Sequence, residues 1–103
     1  MSETYFVTFT IGKSGDPSER YQEMLAAVRR LTSDLWWTEA SHFLLFQSEH
    51  SIDEVAARIA AVLHLDADLA LLSRADAAEA RAIGAIEDPI LFEIMPYAQK
   101  YQG

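Results

Sequence analysis

Apolar residues in this chain alternate at period two in some stretches and recur every three or four residues in others, and each switch marks an element. Tyr5 to Ile11 is rich in aromatic and β-branched residues and predicts a strand. Tyr5, Val7, Phe9 and Ile11 fall on one side of it, and Phe6, Thr8 and Thr10 on the other. Gly12 to Gly15 reads as a loop. Asp16 then offers a cap, Pro17 suits a first helical position, and Glu19 stands at capping-box spacing. The helix runs to about Leu31, with Tyr21, Met24, Leu25, Val28 and Leu31 in one apolar stripe. Arg20, Glu23, Arg29 and Arg30 fall largely off that stripe.

Leu35 to Glu39 and His42 to Gln47 predict two further strands, joined through Ala40 and Ser41. Ser51 and Glu54 repeat the helix-start signal, and Ile52, Val55, Ile59, Val62 and Leu63 form a second stripe. Leu69 to Ser73 reads as a fourth strand. Asp76 to Ala82 suits one or two helical turns, and Ile90 to Met95 suits a fifth, edge or exchanged strand, with a short helix as its competitor. Strand, helix, strand, strand, helix, strand is the βαββαβ order. The expectation is one ferredoxin-like α+β domain over 1–103, with residues 76–103 as a C-terminal extension. Its sheet is four-stranded and antiparallel, with two helices on one face.

Such a sheet leaves its other face bare. Phe6, Trp36, Trp37, Phe43 and Phe46 are too many for one face of so small a core. We therefore expect a homodimer, with Trp36, Trp37, Phe43 and Phe92 as interface residues; the rival is a tail that folds back over its own sheet.

Charge narrows the partners. Sixteen acidic against eight basic residues give a net charge of −8, which argues against nucleic acid as a ligand and suits an acidic docking surface for a basic protein. The chain contains no cysteine, which excludes disulfides, thiolate metal sites and cysteine nucleophiles. With no export signal and no long apolar run, a cytoplasmic protein away from membranes is expected.

Motifs for chemistry are weak. His42, His50 and His64 lack the spacing of a helical metal pair. From Asp66 a calcium loop would need an oxygen ligand where Ala70 stands and a glycine where Leu71 stands. Gly12-Lys13-Ser14 is no phosphate loop, since Val7 occupies the position of its first glycine. No catalytic, cofactor or metal residue is assigned, and no cofactor is expected.

The run Thr4 to Thr10, the helix after Gly12-Lys13, the Trp36-Trp37 pair and the Ser51-Ile52-Asp53-Glu54-Val55 helix start resemble the SinR-like proteins. These are small bacterial relatives of the CRISPR-associated adaptation (Cas-two) proteins, and the resemblance covers roughly residues 4 to 74. It implies a ferredoxin-like dimer. In the nuclease members of that superfamily an aspartate ends the first strand and holds a divalent metal. The matching position here is Thr10, whose hydroxyl is no substitute for an anionic Mg²⁺ ligand. The leading expectation is thus a non-catalytic dimer acting through protein contacts. Its rivals are a metal-dependent endoribonuclease or endodeoxyribonuclease that recruits Asp16 or Glu39, and a dimeric α/β-barrel small-ligand binder or enzyme using His42 or His64.

Overall fold

A computed structural model of the chain describes residues 2–33, 35–76 and 79–101. The elements are β1 (Glu3–Thr10), α1 (Pro17–Leu31), β2 (Trp36–Trp37), β3 (Phe43–Ser48), α2 (Ile52–Val62), β4 (Leu69–Arg74), β5 (Ala80–Ala82), α3 (Ile90–Ile94) and β6 (Ala98–Lys100). Strands β2, β3, β1 and β4 lie in that order in one sheet, and each neighbouring pair is antiparallel. This α+β arrangement is compatible with the ferredoxin-like fold.

Local signals start both long helices. The Asp16 carboxylate accepts the Glu19 amide at 3.1 Å, and Pro17 opens α1. Ser51 and Glu54 close a reciprocal capping box on α2. Both helices lie on one face of the sheet. Their buried residues Met24, Val28, Leu31, Val55 and Ile59 meet Tyr5, Val7 and Phe9 of β1 and Leu44 and Phe46 of β3. The period-two reading of β1 therefore holds, with the odd-numbered row inside. Strand β2 is shorter than expected, but its ladder continues irregularly: the Gln47 amide donates to the Leu35 carbonyl at 2.9 Å.

The opposite face is not bare. The C-terminal segment crosses it, and Leu91 and Ile94 of α3 form a second buried cluster with Trp37, Leu45, Ala75 and Ala82. Phe6, Phe43 and Phe92 pack against that cluster. The fold thus has three layers, with the sheet in the middle.

Two expectations for this tail are corrected. The run from Ile90 to Met95 holds the short helix α3, Ile90–Ile94, rather than a strand. A short apolar run between prolines fits either element by periodicity. Pro89 sits just ahead of the first turn, where its missing amide costs nothing, and the three-residue spacing of Leu91 and Ile94 puts both on the buried side. Ala80–Ala82 is strand rather than helix, because it pairs in parallel with β6. Ala77 and Ala78, also within the expected turns, lie outside the described residues.

The tail is fastened by a carboxylate. Glu39, in the β2–β3 connection, accepts the amides of Glu87 at 2.7 Å and Asp88 at 3.1 Å, and the Trp37 indole at 3.3 Å. Those hydrogen bonds, Asp88's first, hold its carboxyl below the usual range. Leu91→Asp should unseat the strap, because it places a charge against Trp37 and Leu45. We expect a strong rise in fluorescence of an apolar-surface dye, without loss of the helices α1 and α2 by circular dichroism.

Candidate functional site

The resemblance directs attention to the end of β1. Thr10 is its last residue, is exposed, and pairs with Leu69 across β4. The carboxylate that the fold brings there is Asp68, which no sequence reading singled out as a partner for this strand. Its side chain is fully buried. It accepts the Gly12 amide at 2.7 Å and the His64 amide at 2.8 Å. Arg20 supplies two more hydrogen bonds, from Nε at 2.9 Å and Nη2 at 3.1 Å. The same guanidinium donates to the carbonyls of Gly12, at 2.9 Å, and Ser14.

Arg20 was placed off the apolar stripe of α1, and the structure corrects this: the residue is 4% exposed. The stripe argument failed because it assigns arginine to water by residue type. A paired guanidinium follows its carboxylate instead. Close packing adds to the link. A Cβ on Gly12 would lie 2.4 Å from the Ala67 carbonyl oxygen, so only glycine fits there.

This geometry decides what Asp68 can do chemically. A carboxylate has about four acceptor positions, and Asp68 has four donors on it. The Arg20 hydrogen bond holds its carboxyl far below the ordinary range, against the opposing effect of burial, and the His64 and Gly12 amides add to it. It stays ionised, but it has no lone pair left for a cation.

The other named candidates are also engaged. Asp16 caps α1 and Glu39 clasps the strap. His42 turns the chain into β3 with a φ of 57°, its ring edge-on to Phe9 and Tyr21. His50 meets Glu54 at 3.3 Å, and His64 lies beside Gly15. Among the described residues, no three side chains of His, Asp or Glu gather where a metal ion would sit. A groove of about 260 Å³ between the start of α1 and the end of α2 is lined by Asp16, Glu19, Arg20, Glu23 and His64.

The expected interface residues divide between the two faces. Trp37, Phe43 and Phe92 come together under the strap: Phe43 stacks on Phe6 at 5.7 Å and meets Trp37 edge-on at 6.1 Å. Trp36 packs on the helical side, with the Arg29 guanidinium 5.3 Å from its ring centre.

Ile83 and Tyr101 of the C-terminal segment are exposed, and a further apolar group lies on the sheet's other margin. Leu65, Leu69 and Leu71 are 72%, 64% and 60% exposed, and the last two belong to β4. Among the described residues β4 has one neighbour, β1. The Ala75 amide donates to the Thr4 carbonyl at 2.8 Å, which sets the phase of the ladder. Alternation then turns the amide and carbonyl groups of Ala70, Leu72 and Arg74 away from β1, to the outer edge. A mainly apolar groove of about 170 Å³ runs between this edge and α2, lined by Val7, Ala56, Ile59, Ala60, Leu63 and Leu72 among others. The sequence identified β4 but not its edge position, since an unbroken Leu-Ala-Leu-Leu run suits a central strand equally.

Removing one member of the buried ion pair should be costly. Arg20→Met is expected to lower stability by about 3–5 kcal/mol, read from urea unfolding. Arg20→Met/Asp68→Leu should recover only part of that loss, because the Gly12 and His64 amides are left without their acceptor. The wild-type pair contributes fully above the ordinary carboxylate range of about 4 and loses its contribution as pH falls further, because the folded-state value is depressed. The double variant should therefore lose less of its urea midpoint than wild type between about pH 4 and pH 2.

No described helix is long and apolar enough to cross a membrane. No protein-family model matches the chain, and no curated protein matches it.

Proposed function

We propose that this chain is a non-catalytic, ferredoxin-like protein of the SinR-like and CRISPR-associated adaptation group, working through protein contacts as a homodimer. The observation that carries the non-catalytic reading is the saturation of Asp68. In the resembled nucleases an anionic oxygen at the end of the first strand holds the metal. Here that position is Thr10, and Asp68, the carboxylate that meets the chain at Gly12 just beyond the strand, is consumed by Arg20, Gly12 and His64. A second-row replacement would have to break a buried ion pair to reach a cation, which is strongly unfavourable.

The contact reading is supported by where apolar surface remains. The strap covers much of the aromatic face, yet Leu69 and Leu71 stay open on a strand whose outer edge pairs with nothing among the described residues. Exposed apolar surface beside unpaired backbone groups favours a protein neighbour.

Incubation of labelled RNA and DNA with the purified chain and Mg²⁺ or Mn²⁺ tests the first part. We expect no cleavage above the buffer control. Cleavage that survives purification and disappears in Asp16→Asn would overturn the reading. Light scattering tests the second part, with a solution mass of two chains as the expected result.

A further inference from the structure

We propose that the C-terminal strap, residues 80–101, is a cover that lifts from the sheet as one unit, with Glu39 as its clasp, while the four strands and the helices α1 and α2 stay folded. The protein-contact reading does not require this device, and the two stand or fall separately.

Backbone pairing sets the boundary of the unit. Every residue from Tyr5 to Thr8 in β1 is paired on both sides, with β3 and with β4. The strap's backbone bonds within the strap. β5 pairs with β6, the Tyr101 amide donates to the Ala82 carbonyl at 2.8 Å, and the Met95 amide to the Leu91 carbonyl at 2.8 Å. Among the described residues, no backbone hydrogen bond joins residues 80–101 to the four-stranded sheet. Lifting the strap therefore breaks no ladder of that sheet.

Side chains hold the strap instead, and they hold it lightly. Leu91 and Ile94 are its large buried anchors, whereas Ile83 and Tyr101 are 69% and 62% exposed. Under the helices, by contrast, Val7, Met24, Val28 and Val55 are sealed completely. Among the described residues the strap's polar ties to the rest of the chain are the Glu39 clasp on the Glu87 and Asp88 amides, and the Tyr97 hydroxyl, 3.5 Å from the Ala75 carbonyl and at the limit of a hydrogen bond. Glu39 is itself exposed, and it reaches toward a segment where Glu87, Asp88 and Glu93 outnumber Arg81 and Lys100. Those like charges work against closure. A segment held by few buried contacts and by solvent-exposed hydrogen bonds opens well below the free energy of global unfolding.

Once lifted, the strap has no means of keeping its own structure. Strands of three residues and a helix of five are too short to persist alone, so its amides lose protection together. Opening also uncovers Phe6, Trp37, Phe43 and Leu45. The cover thus gates an aromatic surface that the closed molecule keeps to itself.

Leu44 and Leu45 make matched probes for this opening. They are neighbours on β3, each is 1% exposed, and Leu44 lies under the helices while Leu45 lies under the strap. The chain has no cysteine, so Leu44→Cys and Leu45→Cys each offer a single thiol to a bulky labelling reagent in buffer without denaturant. Urea unfolding of each variant gives the labelling that global unfolding alone would produce. The thiol at position 45 should exceed that rate at least about tenfold, and the thiol at position 44 should match it. Glu39→Ala should speed labelling at position 45 by about a further tenfold and leave position 44 unchanged. Glu23→Ala, which removes an exposed charge from α1, should alter neither. Hydrogen exchange of the unsubstituted chain gives the same comparison without a cavity. The Met95, Ala98 and Tyr101 amides should share one protection factor, roughly a hundredfold below those of Val7 and Phe46.

Strap amides protected as strongly as those of β1, or a position-45 thiol that labels only at its global-unfolding rate, would show that the strap leaves the sheet only when the whole chain unfolds, and the proposal fails. Labelling at position 45 that ignores Glu39→Ala overturns it as well, since the carboxylate would then not be the clasp.

Discussion

The bidentate contact between Arg20 and Asp68 is the constraint on which the sheet and helices depend. It joins the first turn of α1 to the α2–β4 turn, through two residues separated by 48 positions in the chain. Neither charge would be tolerated in that interior alone, since an unpaired buried ion costs several kcal/mol. Together they are satisfied by one another and by four backbone groups. Because all four acceptor positions of Asp68 are taken, the lock serves structure at the expense of coordination. One polar network thereby explains both how the two halves of the fold meet and why the end of β1 is poorly suited to hold a cation.

The two faces of the sheet solve the same burial problem by different means. On the helical side, regular elements with capped ends present continuous stripes to Tyr5, Val7 and Phe9. On the other side, short irregular pieces cover Trp37, Phe43 and Leu45, fastened at their margin by Glu39. Coverage by a strap is incomplete by nature. It protects the β2–β3 half of the face and leaves the β4 margin with its leucines open.

Much of the central fold was legible in the sequence. The capping residues Asp16, Ser51 and Glu54 announced both helices, and the alternation from Tyr5 to Phe9 told the two faces of β1 apart. These signals are local, so a short window contains them whole. The tail was misread because six apolar residues between prolines carry no decisive period, and because β5 exists only through its pairing with β6. Arg20 and Asp68 were missed for a related reason. Each looks like an ordinary surface charge, and only tertiary contact between distant loops makes them a pair. The edge position of β4 depends likewise on sheet order, which no stretch of Leu69–Arg74 encodes by itself.

The strap also has a consequence in time. Chains emerge from the ribosome N-terminus first, at about 5–20 residues per second, and fold as their parts become available. The β1-to-β4 unit is complete in sequence before any of residues 80–101 has been synthesised. Until those residues follow, Phe6, Trp37, Phe43 and Leu45 have nothing of their own chain to cover them. The order of synthesis thus makes the aromatic face of the sheet the later of the two to be covered.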